Sequence, residues 1–416
     1  MSAVAQPIGI DPAAKNRAIA AALSTVALFL GAFLSGFVIN EPAPYELYMA
    51  ALIPVWALFG LTIPRATAPL VILLLVFNLG GVISLLVLPN IMSQLMYVLV
   101  SFFLAFTSIF FAAVIAGDYR RLNVLMSGYL AAALITATAG ILGYLGVIPG
   151  GEIFTRFGRA RGVFEDPNVF APFLMLPTLY CIYLLMTRPL SGLLPRLIMT
   201  LVLVMGVFLS FSRAGWGMLV ICTTLLAVLT LTASSSNKLK LRVLVMVIAS
   251  VATALLALMV ALQFDVVRDV FTERAQLVQS YDGAREGRFA RHWIGLLMAL
   301  EHPFGIGPLQ FGKIFGEDTH NIWLKALFDY SWLGFIAYAA LVFWTLGIGL
   351  RIMFRDRPWQ GVLICAWVVF FGHTVIGYVI DTDHWRHFFL ILGIIWGCVA
   401  LEARWQRGDI VTLNRA

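Results

Sequence analysis

Charge is what this sequence has least of. Only 12% of its 416 residues are charged, against about a quarter in an ordinary soluble domain. With a mean hydropathy of +0.93, that shortage excludes a soluble fold. Cysteine is also scarce. The four present, Cys181, Cys222, Cys365 and Cys398, all fall in apolar runs and form no C-x-x-C pair. They predict small buried hydrophobes, with neither a disulfide framework nor a zinc site. Strict period-2 alternation is missing too, and the apolar runs are too long for barrel strands. Backbone polar groups in lipid must then be satisfied within helices. Low complexity is confined to the short "ASSSNKLK" at 233–240, and no internal repeat is visible.

What is present is a series of apolar runs near the roughly 20 residues that span a bilayer core. The expected spans are 18–39, 44–63, 67–88, 92–115, 122–147, 168–187, 195–211, 214–232, 242–263, 322–350, 359–380 and 385–402. The fold class is therefore an all-α polytopic membrane protein of about twelve transmembrane helices. The run after Lys15 and Arg17 is long for a signal-peptide core, so an uncleaved first helix is expected. An even number of spans places both termini on one side. With that side cytoplasmic, every inner loop carries at least one basic residue, while the loops at 40–44 and 88–91 carry none. The positive-inside rule supports this orientation and accounts for the net charge of +7 without nucleic acid.

The remaining cations are the informative ones. Arg156, Arg159 and Arg161 share an outer loop, "PGGEIFTRFGRARGVFEDPNVFAPFL" at 149–174, in which Asp166 or Asn168 is a candidate helix cap. Arg213 stands in "LSFSRAGWGML", 209–219, where two apolar runs meet. Arg268, Arg274, Arg285, Arg288, Arg291 and Lys313 lie in the long outer segment 264–320. Within it Phe289, Trp293, Leu296, Leu297 and Leu300 recur at helical spacing, which predicts an amphipathic helix on the membrane surface. Arginines gathered from several loops can build one anion site, because the guanidinium suits bidentate phosphate recognition. His320 closes the segment, with a neutral-range pKa suited to a general base. Asp318 or Thr319 is the expected cap of the next helix, with Asn321 in its first turn. Lys325 and Asp329, spaced i,i+4, predict a structural pair on one helix face. "DTDHWRH" at 381–387 reads as a charged loop, and His373 as a buried, hydrogen-bonded histidine.

Four stretches carry a resemblance: "RGVFEDPN" at 161–168, "SRAG" at 212–215, "GRFARHWIGLLMALEHPFGIGPLQF" at 287–311 and "THNIWLKALFDYSWLG" at 319–334. In this order they resemble the bacterial O-antigen ligases and the related O-antigen and exopolysaccharide polymerases. Two departures stand out. The family usually has tryptophan four residues after its arginine, where this chain has His292. Its Glu-x-Gly-x-x-Gly is here Asp329, Ser331 and Gly334.

The resemblance implies a metal-independent membrane glycosyltransferase without cofactor, in the bacterial inner membrane. Its donor would be a polysaccharide on undecaprenyl pyrophosphate at the periplasmic face. The acceptor would be a sugar hydroxyl of lipid A-core in a ligase, or a second lipid-linked glycan in a polymerase. His320 is the expected catalytic base. Arg161, Arg213, Arg288, Arg291 and Asn321 are the expected substrate-binding residues, and no metal ligand is expected. The chain then divides into 1–263, the first nine spans; 264–321, the periplasmic catalytic loop; and 322–416, the last three spans and a cytoplasmic tail. The rival reading, a transporter or lipid flippase, calls for ionisable residues near the bilayer midplane, where only His373 qualifies.

Overall fold

A computed structural model describes residues 12–263, 265, 268, 272 and 288–410. Arg274 and Arg285, and the side chains of Arg288 and Phe289, lie outside the described residues. The elements are helical almost throughout. They are α1 Pro12–Leu34, α2 Pro44–Leu58, α3 Ala68–Leu85, α4 Leu95–Gly117, α5 Arg121–Tyr144, α6 Pro167–Thr187, α7 Leu193–Leu209, α8 Arg213–Ala233 and α9 Asn237–Ala261. After the segment 264–287 come α10 Arg288–Glu301, α11 Gln310–Phe315, α12 Ile322–Asp329, α13 Ser331–Met353, α14 Gln360–Ile376 and α15 Arg386–Gln406. One two-stranded hairpin, β1 Thr155–Arg156 against β2 Arg159–Ala160, sits in the loop before α6.

Among the described residues, eight helices are long and apolar enough to cross a membrane: those within α1, α3, α4, α5, α6, α8, α13 and α15. Helices α7 and α14 are apolar but shorter, at 17 residues each, and α2 has 15. The predicted span 322–350 is corrected to two helices. Ser331 takes φ 61°, a left-handed conformation that ends α12 and redirects the chain into α13. This is the position where the family usually has glycine, which adopts that φ without strain.

Helix α15 is the centre of the bundle. Every residue from Arg386 to Glu402 is buried, as expected of a helix apolar on all sides. It packs along α4, while α13 packs along α3. The α3–α13 contact is a backbone-to-backbone approach. A Cβ on Gly80 would lie 2.1 Å from the Tyr330 carbonyl oxygen and 2.5 Å from the Gly334 nitrogen. Small residues at such crossings let helices approach where lipid supplies no hydrophobic drive. The ring of Phe77 stacks on Tyr330 at 4.0 Å beside the crossing. All four cysteines are buried and free, as their apolar settings predict.

At one end of α15, Glu402 is held by Arg355 Nη1 at 2.6 Å and by Arg357 Nε and Nη2 at 2.8 and 3.0 Å. At the other end, Arg386 binds Glu46 and, at 3.0 Å, Glu41. The second end carries the candidate site. Replacing Gly80 by Ala is expected to destabilise the protein by about 1–3 kcal/mol through overpacking. The check is the apparent melting temperature of the detergent-solubilised protein. An unchanged value would show that the α3–α13 crossing tolerates a methyl group.

Candidate functional site

His320 stands immediately before the cap of α12, in the left-handed conformation at φ 49°. Strained residues of this kind cluster at functional sites. Its side chain is 38% exposed, and Nδ1 lies 3.6 Å from Asp381 Oδ2, the range of an ion pair rather than a hydrogen bond. Three ties hold the segment. Asn321 Oδ1 accepts from the backbone N–H of Trp323 and Leu324, so Asn321 caps α12 in place of the expected Asp318 or Thr319. The Ile322 N–H donates to the Gly377 carbonyl at 2.9 Å, pinning the helix start to the end of α14. His292 Nε2 donates to the Thr319 carbonyl at 2.8 Å from α10. Histidine at 292 thus has a hydrogen-bonding role where the family usually has tryptophan.

Beneath His320 lies a buried polar cluster. Lys325 Nζ bonds Asp318 Oδ2 at 3.0 Å and lies 3.6 Å from Asp381 Oδ2. It also sits 5.5 Å above the Tyr97 ring. The expected Lys325–Asp329 pair is corrected: Lys325 turns to the other two carboxylates, while Asp329 Oδ2 accepts from the Leu309 N–H at 3.3 Å. Asp383 is 4% exposed. Its Oδ2 accepts from Tyr97 by a short bond, from Tyr330 Oη at 3.0 Å and from His384 Nδ1 at 3.0 Å. Burial pushes the Asp383 carboxyl up, but the Lys325 charge, His384 and the bond from Tyr97 hold it well below the ordinary carboxylate range. The expected charged loop at 381–387 is therefore corrected to part of this cluster. Its signal in the sequence was D-x-D-H beside a span in a chain poor in charge.

The glycines of "FGIGP" have a packing explanation. Gly305 has φ 83°, and a Cβ there would meet Ser84 Oγ at 2.3 Å and the Phe328 carbonyl oxygen at 2.4 Å. Ser84 Oγ in turn donates to the Phe328 carbonyl and accepts from the Gly307 N–H. Helix α10 is amphipathic as predicted. Gly295 and Ala299 face the protein, while Trp293, Leu297 and Leu300 are exposed together with Phe304 just beyond the helix.

The expected arginines divide into two groups. Arg291 pairs with Glu317 Oε2 at 2.5 Å, three residues before His320, and its side chain is only 11% exposed. Arg161 braces its own loop, donating to the carbonyls of Ile153 and Glu165 at 3.2 and 3.1 Å. Arg159, not singled out as a site residue from the sequence, is buried and joins that loop to the turn before α8. It donates to the Ser210 carbonyl at 2.7 Å and to Asn168 Oδ1 at 2.8 Å. Arg213 opens α8 half-buried, with Ser212 as the cap. The cap of α6 is Asp166, one of the two expected residues. Arg288 opens α10. The loops of Arg161 and of His320 lie at the same end of the bundle. Val38 bonds Val163 in the first, and Glu41 and Glu46, a few residues on, bind Arg386 beside the second. His373, proposed for a transporter, is buried, with Nδ1 donating to the Val369 carbonyl at 2.8 Å. Among the described residues, no group of three or more His, Cys, Asp or Glu forms a metal-binding set.

These features define a polytopic helical membrane protein with a polar site at one end of its bundle. The family model described as O-Antigen ligase matches residues 198–339, about a third of the chain, and this match supports membership of the O-antigen ligase family. The match takes in Arg213, Arg288, Arg291, His320 and Asn321, and leaves Arg161 and Asp381 outside it. No curated protein and no solved structure matches the chain. Substituting Asp383 by Ala strands three donors and removes the buried negative charge. The expected cost is about 3–5 kcal/mol, the range for breaking a buried charge arrangement. Thermal unfolding in detergent reads it, and a loss below 1 kcal/mol by the same measure, as for an exposed charge, would refute a structural role.

Proposed function

We propose that this protein is an O-antigen ligase-type inverting glycosyltransferase. Family membership supports a membrane glycosyltransferase-like enzyme acting on lipid-linked glycans, of ligase or polymerase type. The finer reading is transfer of a polysaccharide from undecaprenyl pyrophosphate to a sugar hydroxyl of lipid A-core at the periplasmic face of the inner membrane. Both termini are then cytoplasmic. The observation that carries it is the placing of a half-exposed His320 beside Asp381, at the end of the bundle that also holds the loops of Arg161 and Arg291.

In this reaction the acceptor oxygen attacks the anomeric carbon as the bond from that carbon to the pyrophosphate oxygen breaks. His320 takes the hydroxyl proton. A protonated Nδ1 turned toward Asp381 puts the basic lone pair on Nε2 and stabilises the imidazolium that forms. Undecaprenyl pyrophosphate leaves with its electron pair. Arg161, Arg213 and Arg288 supply charge-assisted hydrogen bonds to it, each worth about 1.5–3 kcal/mol. Arg291 and Asn321 shape the site, through Glu317 and through the α12 cap. The exposed face Trp293, Leu297 and Leu300 rests on the bilayer beside the polyprenyl chain. Direct attack inverts the anomeric configuration.

His320→Ala is expected to lower kcat by about 10²–10⁴-fold, the contribution of a positioned base, while the protein still reaches the membrane. Asp381→Asn is expected to lower kcat by about tenfold with little change in KM, as for loss of a transition-state interaction. Purified enzyme with a lipid-linked donor measures both, and full activity in either variant removes that residue from the mechanism. In cells lacking the gene, a ligase predicts loss of the polymer ladder from lipid A-core, with polymer accumulating on its carrier. Single repeat units still reaching the core would identify a polymerase, with a second lipid-linked glycan as acceptor.

A further inference from the structure

At the end of the bundle away from His320, a cavity of about 600 Å³ opens between the start of α3 and the C-terminal ends of α4 and α15. Arg65, Arg404 and Arg407 line it, and among the described residues no carboxylate does. Its remaining wall is small, with Ala113, Ala116, Gly117 and Ala400. At the same level of the bundle Arg355 and Arg357 share the carboxylate of Glu402, and at the other end Arg386 takes Glu41 and Glu46. The three in the cavity are less well matched. Arg404 Nη1 donates to the backbone carbonyls of Ala116 and Gly117, and Arg407 Nε meets the exposed Asp409 at 3.0 Å. The Arg65 carbonyl accepts from the Ala68 N–H, while its guanidinium makes no hydrogen bond or ion pair among the described residues.

The cavity's surroundings indicate what fills it. Leu58 and Phe59 are each 86% exposed and Ile63 54%, just before the lining residues Thr62, Pro64 and Arg65. Bare apolar surface ends there and the basic cavity begins. That is the level at which lipid tails give way to headgroups. We infer that this cavity binds the phosphate of an anionic membrane phospholipid, with its acyl chains lying along Leu58, Phe59 and Ile63. Arginine forks suit the phosphate oxygens, and basic pockets between transmembrane helices are built for such headgroups. The inference is independent of the reaction at His320.

The test is native mass spectrometry of the delipidated full chain, titrated with phosphatidylglycerol, phosphatidylcholine or inorganic phosphate. Wild type is expected to retain phosphatidylglycerol in preference to phosphatidylcholine. Arg65→Gln is expected to weaken that binding about fivefold, the worth of one surface-level arginine against anionic lipid, and so is Arg407→Gln. Arg351→Gln, on α13 and outside the cavity, is expected to bind as wild type. The Arg65 guanidinium has no described bond to lose, so its variant should fold, and the melting temperature of each variant is read alongside. Unchanged binding in both Arg65→Gln and Arg407→Gln overturns the inference. So does an equal loss in Arg351→Gln, which would mean diffuse surface charge. Displacement of the lipid by inorganic phosphate at matched concentration would identify a soluble-anion site instead and overturn the lipid assignment.

Discussion

A carboxylate taken out of water needs donors on every side, and Asp383 is the point where this protein meets that demand. Its donors come from three separate stretches: Tyr97 on α4, Tyr330 at the α12–α13 break, and its own neighbour His384. His384 also reaches the Tyr97 carbonyl at 3.1 Å, so the same contact closes from both sides. Lys325 adds the compensating positive charge from α12. The loop between α14 and α15 therefore cannot move without unseating the start of α4 and the break after α12. His320, whose Nδ1 lies 3.6 Å from Asp381 on that loop, inherits its position from this arrangement.

The break at Ser331 serves the same end. A continuous helix over 322–350 would carry Tyr330 on round its axis in a regular turn. The left-handed residue instead leaves the Tyr330 ring stacked on Phe77 and its hydroxyl at Asp383. It also exposes the Phe328 carbonyl to Ser84 and Ile306, which draws the glycine-rich loop after α10 down onto α3. The result is a site floor made from α3, α4, α12 and the α14–α15 loop, with α10 laid across its edge through His292 and Trp332. The Trp332 Nε1–H donates to the Ala299 carbonyl at 2.8 Å.

The arginines at the His320 end of the bundle have structural work. Arg159 and Arg161 shape their loop through backbone carbonyls, and Arg291 is tied to Glu317. An arginine that orders a loop can still present other N–H groups to an anion, since the guanidinium has five donors. In the proposed reaction, arginines already ordered in this way would meet a leaving phosphate without reorganising. The two ends of the bundle differ in kind. One gathers carboxylates, histidines and tyrosines into a closed network. The other sets arginines around an open cavity beside bare apolar surface.

The sequence by itself determined the helical membrane class, the positions of most helices and the amphipathic face of α10, and narrowed the cap of α6 to Asp166 or Asn168. Each of these follows from local rules: run length, periodicity and the preferences of caps and turns. The place of His320 and Asn321 at the mouth of an apolar run was legible too, and Asn321 does cap the helix that begins there. Tertiary structure alone decided which charges meet. Lys325 chose Asp318 and Asp381 over Asp329, four residues along its own helix, because burial favours the partner that completes a network over the one nearest in sequence. It also made Asp383 the hub, joined across the chain to Tyr97, and opened the cavity where Arg65 meets Arg404. The last two pairings span hundreds of residues, and no periodicity records them, because they depend on which helices the bundle sets side by side.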